Sequence, residues 1–383
     1  MKRKHLILVL TLSILLPTAF YQANAQGFFE KIFGKGLRGA PGEVIVSEKG
    51  SGSRTITGGY ILHENKLQEV QTERKSITIN KGKESEQTFE LVKFIKDGKV
   101  LSIRPGAEGG PLDLTIGKNK VVFTDNSMGS LWVANVDDLE PINIQPDTVG
   151  SISQTKLYER KAELAKQGKD TDTLILYWAG NPKLSPSEDK IAFTSNREGY
   201  PDNPRSALWV TDISGSATKK IIEEDIIPVT WFNDEEFIFI GSKGDLRKVN
   251  TASSQQQVLI ADWVMVTGYS PSGQYIMFQY VKDSIVQPEQ YLFNLKENKS
   301  VKLDVPAGYK NNAFYGWDET TDKVAFLVQD FSANTKLIIL DCNTLNLQTL
   351  DAPDGLKFDD GVVPSWSAGK VVFSAGGQLY TTK

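Results

Sequence analysis

Six apolar triplets ending in phenylalanine punctuate the chain: Val121-Val122-Phe123, Ile191-Ala192-Phe193, Phe237-Ile238-Phe239, Ile276-Met277-Phe278, Val324-Ala325-Phe326 and Val371-Val372-Phe373. A polar turn stands just before most of them, as in Ser185-Pro186-Ser187-Glu188-Asp189, Ser270-Pro271-Ser272-Gly273 and Asp318-Glu319-Thr320-Thr321-Asp322. Proline fixes φ at a turn's second position, and Ser, Asp and Gly suit its other corners. An aromatic residue precedes several of these turns: Trp231, Tyr269, Trp317 and Trp366. A second apolar run follows each triplet, beginning at Leu131, Leu208, Leu246, Leu292, Leu337 and Leu379. The unit therefore reads as strand, tight turn, buried strand, variable loop, amphipathic strand, turn and outer strand. The runs are short, β-branched and bounded by turns, which excludes a helical solenoid.

The phenylalanines are spaced 70, 46, 39, 48 and 47 residues apart. Apart from the first, these intervals are close to one four-stranded propeller blade. A lone sheet of this kind cannot bury both faces, but a radial stack lets each unit pack on the next and keeps the edges short. The pattern predicts an all-β chain built as a six-bladed β-propeller, with a β-rich N-terminal extension and one inserted helix. "LSPSEDKIAFTSNREG", "ALWVTDISG" and "YSPSGQYIMF" resemble the repeats of TolB-type six-bladed propellers, a repeat type also found in the propeller domains of dipeptidyl peptidase IV-like enzymes. The resemblance covers roughly residues 110–383 and implies a fold rather than an activity. TolB would begin with a mixed α/β domain, whereas residues 40–105 here read as strands, so TolB's envelope partners are not carried over. The domain reading is a leader over 1–25, an arm over 26–39, a β-rich extension over 40–105 and the propeller over 106–383. The sixth unit lacks an outer strand at its end, and a strand within Thr88–Arg104 is expected to complete it. Alternatively, residues 40–105 form a seventh, irregular blade.

Three stretches depart from the repeat. An insertion over about 147–181 holds "SISQTKLYERKAELAKQGKD", which predicts a helix near Gln154–Gln167 with a thin apolar face, followed by a strand-like run ending in Trp178. The loop Ser195–Ala207 carries Arg197, Tyr200, Asp202 and Arg205, a polar set with an aromatic that suits a partner as well as a solvated turn. Trp178, Arg197, Tyr200 and Arg205 are the candidate binding residues. Near the N-terminus, Phe28, Phe29, Ile32 and Phe33 share one side of a short basic amphipathic segment, a candidate for membrane or partner docking through residues 27–38.

The first residues read as an export signal: basic Lys2-Arg3-Lys4, an apolar stretch from Leu6 to Leu16, and the small-x-small site Ala23-Asn24-Ala25. A periplasmic or extracellular product beginning near Gln26 is expected. Without the three basic leader residues the formal charge is −7, from 40 basic and 47 acidic side chains, which lacks the footprint of a nucleic-acid binder. Cys342 is the sole cysteine, so no intrachain disulfide can form, and stability must come from a large core. It reads as a packed side chain rather than a nucleophile.

His63 is the one histidine after the leader, which leaves no His-rich zinc site and reads as an ordinary strand-end residue. Gly268-Tyr269-Ser270-Pro271-Ser272-Gly273 approaches G-x-S-x-G but has one residue too many and lies on the repeat's own turn. No catalytic residue, metal ligand or cofactor is identified, although calcium stays open because oxygen ligands need no special spacing.

Three functions remain. The first is an exported, non-catalytic propeller that binds a protein, peptide or glycan. The second is a secreted glycan lyase or hydrolase whose carboxylate, Tyr and Arg residues converge on the central channel. The third is a structural envelope component docked by the N-terminal arm. The oligomeric state is open in all three.

Overall fold

The computed structural model describes residues 59–63, 66–82, 86–96, 98–105, 112–124, 130–145, 154–168, 179–196, 206–318, 320–353, 355–359, 364–367 and 369–382. The export signal, the arm with Phe28, Phe29, Ile32 and Phe33, and the candidates Trp178, Arg197, Tyr200 and Arg205 lie outside the described residues.

Among the described residues, the strands form seven antiparallel sheets in chain order. The first holds β1 (Gly59–His63), β2 (Lys66–Ile79), β3 (Gln87–Lys96) and β4 (Lys99–Pro105). The second holds β5 (Leu112–Ile116), β6 (Lys120–Thr124), β7 (Leu131–Asn135) and β8 (Ile142–Asn143). After helix α1 (Gln154–Lys166) comes the third, of β9 (Ala179–Leu184), β10 (Lys190–Ser195), β11 (Ala207–Asp212) and β12 (Lys219–Ile222). The fourth holds β13 (Ile227–Trp231), β14 (Glu236–Ile240), β15 (Leu246–Asn250) and β16 (Gln256–Ile260). The fifth holds β17 (Val264–Tyr269), β18 (Tyr275–Lys282), the short β19 (Ile285–Val286), β20 (Tyr291–Asn294) and β21 (Lys299–Lys302). The sixth holds β22 (Lys310–Trp317), β23 (Lys323–Gln329), β24 (Thr335–Asp341) and β25 (Asn346–Leu350). The seventh, among the described residues, has three strands: β26 (Ser365–Ser367), β27 (Lys370–Ala375) and β28 (Gln378–Thr381).

Every apolar triplet lies on the second strand of its sheet, and each of its residues is buried. Because side chains alternate along a strand, the triplet divides between two interfaces. Val121 and Phe123 pack on the first sheet, while Val122 packs with the third. Ile191 and Phe193 face back to the second sheet, and Ala192 faces forward to the fourth. The same division holds for Phe237, Phe239 and Ile238, then for Ile276, Phe278 and Met277. Val324 and Phe326 face back, Ala325 forward, and Val371 and Phe373 back onto the sixth sheet. Successive sheets therefore share cores face to face. The first strands lie side by side from β5 through β9, β13 and β17, and from β22 through β26 to β1. Chain-ordered sheets stacked around a line of first strands make a β-propeller. Six of the sheets carry a triplet, and β1–β4 precedes them.

Thr88–Arg104, expected to complete the last sheet, instead falls in β3 and β4, which pair with each other and with β2. Two lysines dock this first sheet on the second. Buried Lys93 donates to the Asp137 carbonyl, and Lys75 donates to the Asp138 carbonyl and pairs with Glu140 at 2.7 Å. The inserted helix forms as expected. Of the residues assigned to its apolar face, Leu164 is buried, whereas Ala162 and Ala165 are exposed.

The Ser-Pro-Ser turn is structural. The Ser185 N–H donates to the Lys190 carbonyl at 2.9 Å, and the Ser185 hydroxyl oxygen accepts the Lys190 N–H at 3.1 Å. Ser270 makes the same pair with Tyr275, at 2.9 and 3.1 Å. Each serine closes its own hairpin. Cys342 is buried in the core between the fifth and sixth sheets, and burial pushes its thiol pKa up, which matches a packing role.

Candidate functional site

The antiparallel course gives the propeller two unlike faces. The turns between first and second strands lie on one, the turn face. On the other, the crossing face, lie the loops between second and third strands and the passages from each sheet to the next.

Neighbouring sheets use the polar groups of the turn face on one another. The Glu188 carboxylate accepts the backbone N–H groups of Lys118 and Asn119, the latter at 2.9 Å. Asp234 accepts the Ser187 N–H at 2.8 Å, and Lys190 donates to the Asp234 carbonyl at 2.8 Å. On the first strands near this face, Lys183 Nζ lies 5.9 Å from the Tyr269 ring centre. Those residues belong to the third and fifth sheets, so side chains from non-adjacent sheets meet at this end of the axis.

Mid-strand, the first strands carry extra residues. Pairing registers shift along β5, β9, β13, β17 and β22, bulges that bend and twist the innermost strands. Asp113 and Asn181 sit in two of these bulges with φ of 50° and 52°, and the Asn181 N–H donates to Asp113 at 3.0 Å. Asp113 is the only carboxylate on a first strand among the described residues. Paired-carboxylate glycoside hydrolysis needs two. Nor do the described residues hold a group of three His, Cys, Asp or Glu side chains able to bind a metal.

The crossing face has a different character. Ile227, Trp263, Met265, Ile285, Val286 and Phe331 are all exposed there, with Leu356 at the passage into the last sheet. Phe331 is 86% exposed, and the Lys310 ammonium lies 4.6 Å from its ring centre. Near the turn face, Ile116, Ile142, Tyr269 and Leu345 are the exposed large apolar residues among the described residues.

Trp263 is set by glycine. It stands just before β17 with its indole against Gly244, in the loop between β14 and β15, where φ is +84° and a Cβ would collide with the ring. Beside it an ion network fixes the loop. Arg247 bonds Asp245 through Nε at 2.6 Å and through Nη2 at 3.1 Å, and Glu224 through Nη1 at 2.6 Å. Glu224 also accepts the Ser242 hydroxyl at 2.6 Å. The hydrogen bond to Asp245 raises the Arg247 pKa further, against the opposing effect of burial. A rigid, paired base thus carries a partly exposed indole.

The strand ends that flank the sequence candidates lie at this same face. Ser195 pairs with Ala179 on one side and Ala207 on the other, so the chain enters at Ala179, leaves past Asn196 and returns at Ser206 at one end of one sheet. Trp178 and the segment holding Arg197, Tyr200 and Arg205 adjoin those ends in sequence. Ser195 and Asn196 themselves are buried, and the Trp209 indole N–H donates to the Ser195 carbonyl at 3.1 Å. His63 ends β1 opposite Lys66. Sequence reasoning missed Trp263, Met265, Phe331 and the Glu224–Asp245–Arg247 network. A tryptophan placed directly ahead of a first strand was the available signal for Trp263.

No family model matches the chain, and no curated protein matches it. Solved structures do. A TolB from Agrobacterium tumefaciens is 12% identical over 82% of this chain and 97% of its own, with a TM-score of 0.42. The oligogalacturonate lyase of Vibrio parahaemolyticus is 12% identical over 85% of this chain and 97% of its own, with a TM-score of 0.47. A prolyl endopeptidase is 13% identical over 68% of this chain but 39% of its own, with a TM-score of 0.46. These are likenesses in the course of the sheets.

Proposed function

We propose that this protein is an exported, non-catalytic propeller that holds a protein or peptide partner on its crossing face. The observation that carries the reading is the gathering of exposed apolar side chains there, with Trp263 on a fixed base of Gly244 and the Arg247 network. Exposed aromatic and Met residues beside paired charges are the composition of protein-contact surfaces. In sequence, Trp178, Arg197, Tyr200 and Arg205 adjoin strand ends of the third sheet that reach this face. Export is supported by the basic, apolar and small-residue succession over residues 2–25.

The test is capture from envelope extract by the immobilised chain from Gln26. W263S/M265S/F331S is compared with a turn-face control, L345S, after equal unfolding midpoints have been shown. The crossing-face variant is expected to lose at least tenfold of a captured protein that the control retains. Equal capture by both, or retention of carbohydrate alone, would overturn the reading.

A further inference from the structure

The fourth strand of each sheet ends in an edge, and most of these edges are defended. β4 carries Lys99 and Arg104 and ends in Pro105, and β8 is two residues long. β12 carries Lys219 and Lys220, β21 carries Lys299 and Lys302, and the register of β16 shifts between Leu246 and Arg247 of its neighbour. Charge, proline, brevity and bulges each keep a strand edge from pairing with another chain. β25 has none of them. Asn346-Leu347-Gln348-Thr349-Leu350 carries no charge, and its five residues pair with β24 in unbroken register.

The direction of its backbone groups follows from β24. The Cys342 N–H donates to the Asp322 carbonyl at 3.2 Å, toward β23. Alternate residues of a strand point their backbone groups to opposite sides. Asp341, Ile339 and Leu337 therefore turn theirs to Asn346, Gln348 and Leu350, the residues opposite them on β25. Leu347 and Thr349 turn theirs outward, to the edge.

This edge matches itself. An antiparallel copy centred on Gln348 overlaps all five residues and sets Leu347 opposite Thr349 of the second copy, and Thr349 opposite its Leu347. Both are outward-facing positions, so each pair exchanges two N–H···O bonds. Gln348 meets its own counterpart in the closer, non-hydrogen-bonded kind of pair, and each amide offers both donor and acceptor. No like charges oppose one another across the five residues, whereas the lysines of β12 and β21 repel an identical strand. Leu347 and Leu350 are half-buried, one in the core shared with the fifth sheet and the other in the core shared with the seventh. A strand laid along the edge extends both cores outward. We propose that two copies of this protein pair edge to edge through β25, in a two-fold antiparallel contact about Gln348. One strand pair is a small interface, so association belongs at high chain concentration, about 0.1–1 mM.

Sedimentation equilibrium of the chain from Gln26 tests this. Q348K and Q348E change an exposed side chain and leave the pairing with β24 in place. Each opposes like charges at the two-fold and is expected to weaken association by about fivefold or more. An equimolar mixture of the two should restore it, because Lys then meets Glu. T349P removes an outward donor from each copy and should weaken association by about tenfold. A wild-type chain that stays monomeric up to about 1 mM overturns the proposal. So does a mixture of Q348K and Q348E that associates no better than either alone. Association that both Gln348 variants keep, but that W263S/M265S/F331S abolishes, also overturns it and assigns the contact to the crossing face.

Discussion

The Trp231 indole N–H donates to the carbonyl oxygen of Lys183 at 2.8 Å, joining the first strands of the third and fourth sheets. Trp366 repeats the bond to the Gly316 carbonyl, at 2.8 Å, between the sixth and seventh. Two of the aromatics that precede the turns, Trp231 and Trp366, are therefore latches between neighbouring sheets. Trp231 also lies edge-on to Phe237, with centroids 5.3 Å apart.

W231F keeps most of the apolar contact but removes the donor from a part-buried carbonyl. It is expected to lower stability by about 1–3 kcal/mol. W231A adds a cavity and should cost about 3–5 kcal/mol. Denaturant midpoints at unchanged slope would report both, and a W231F value equal to wild type would remove the latch from the account.

Gly244→Ala combines a left-handed φ with a collision against the Trp263 indole. The backbone cost alone is about 1–2 kcal/mol. The variant should lose at least that much stability and show altered Trp263 fluorescence, read against a W263F background. G82A also has a left-handed φ but no atom near its Cβ, so it should lose stability without the fluorescence change.

The acid response follows from the turn carboxylates. The Ser216 hydroxyl, 2.6 Å from Asp212, holds that carboxyl below the ordinary range, against the opposing effect of burial. Asp189 is lowered in the same way by the Ser187 hydroxyl. A lowered folded pKa gives stability that is full above the unfolded value, near pH 4, and is lost as pH falls through the folded value. D212N should therefore be less stable than wild type at pH 7, and the difference should shrink below about pH 4. Midpoints measured from pH 7 to 2 check this, and a constant difference would sink it.

Cys342 is 2% exposed, and burial raises its thiol pKa. A thiol reagent at pH 8 should leave the native protein unlabelled and modify it stoichiometrically in denaturant. Native labelling within minutes would show that the core between the fifth and sixth sheets opens readily.

The propeller was legible because its signal is local and repeated. A strand buried on both sides must be apolar at three successive positions, and Ile191-Ala192-Phe193 states that without help from distant residues. Most of the first sheet could also be read, but β2 runs through "KLQEVQTERK", where helix formers and charges hide a strand. Lys93 reads as a surface residue until the Asp137 carbonyl is brought to it from another sheet. The crossing-face base was illegible for the same reason. Asp245 and Arg247 stand two residues apart, but Glu224 comes from the passage ahead of β13, and nothing in its spacing announces that it meets them.

The divided triplet has a consequence for how such a chain can grow. The first and third residues of each triplet face the sheet before, and the middle residue faces the sheet after. Each unit thus presents a bulky front and a slighter back that any similar unit accepts. Duplication of one unit would create a compatible neighbour at both junctions and ask only that the circle widen. The number of units is then a property of circumference, settled where the two ends meet, and no single unit encodes it.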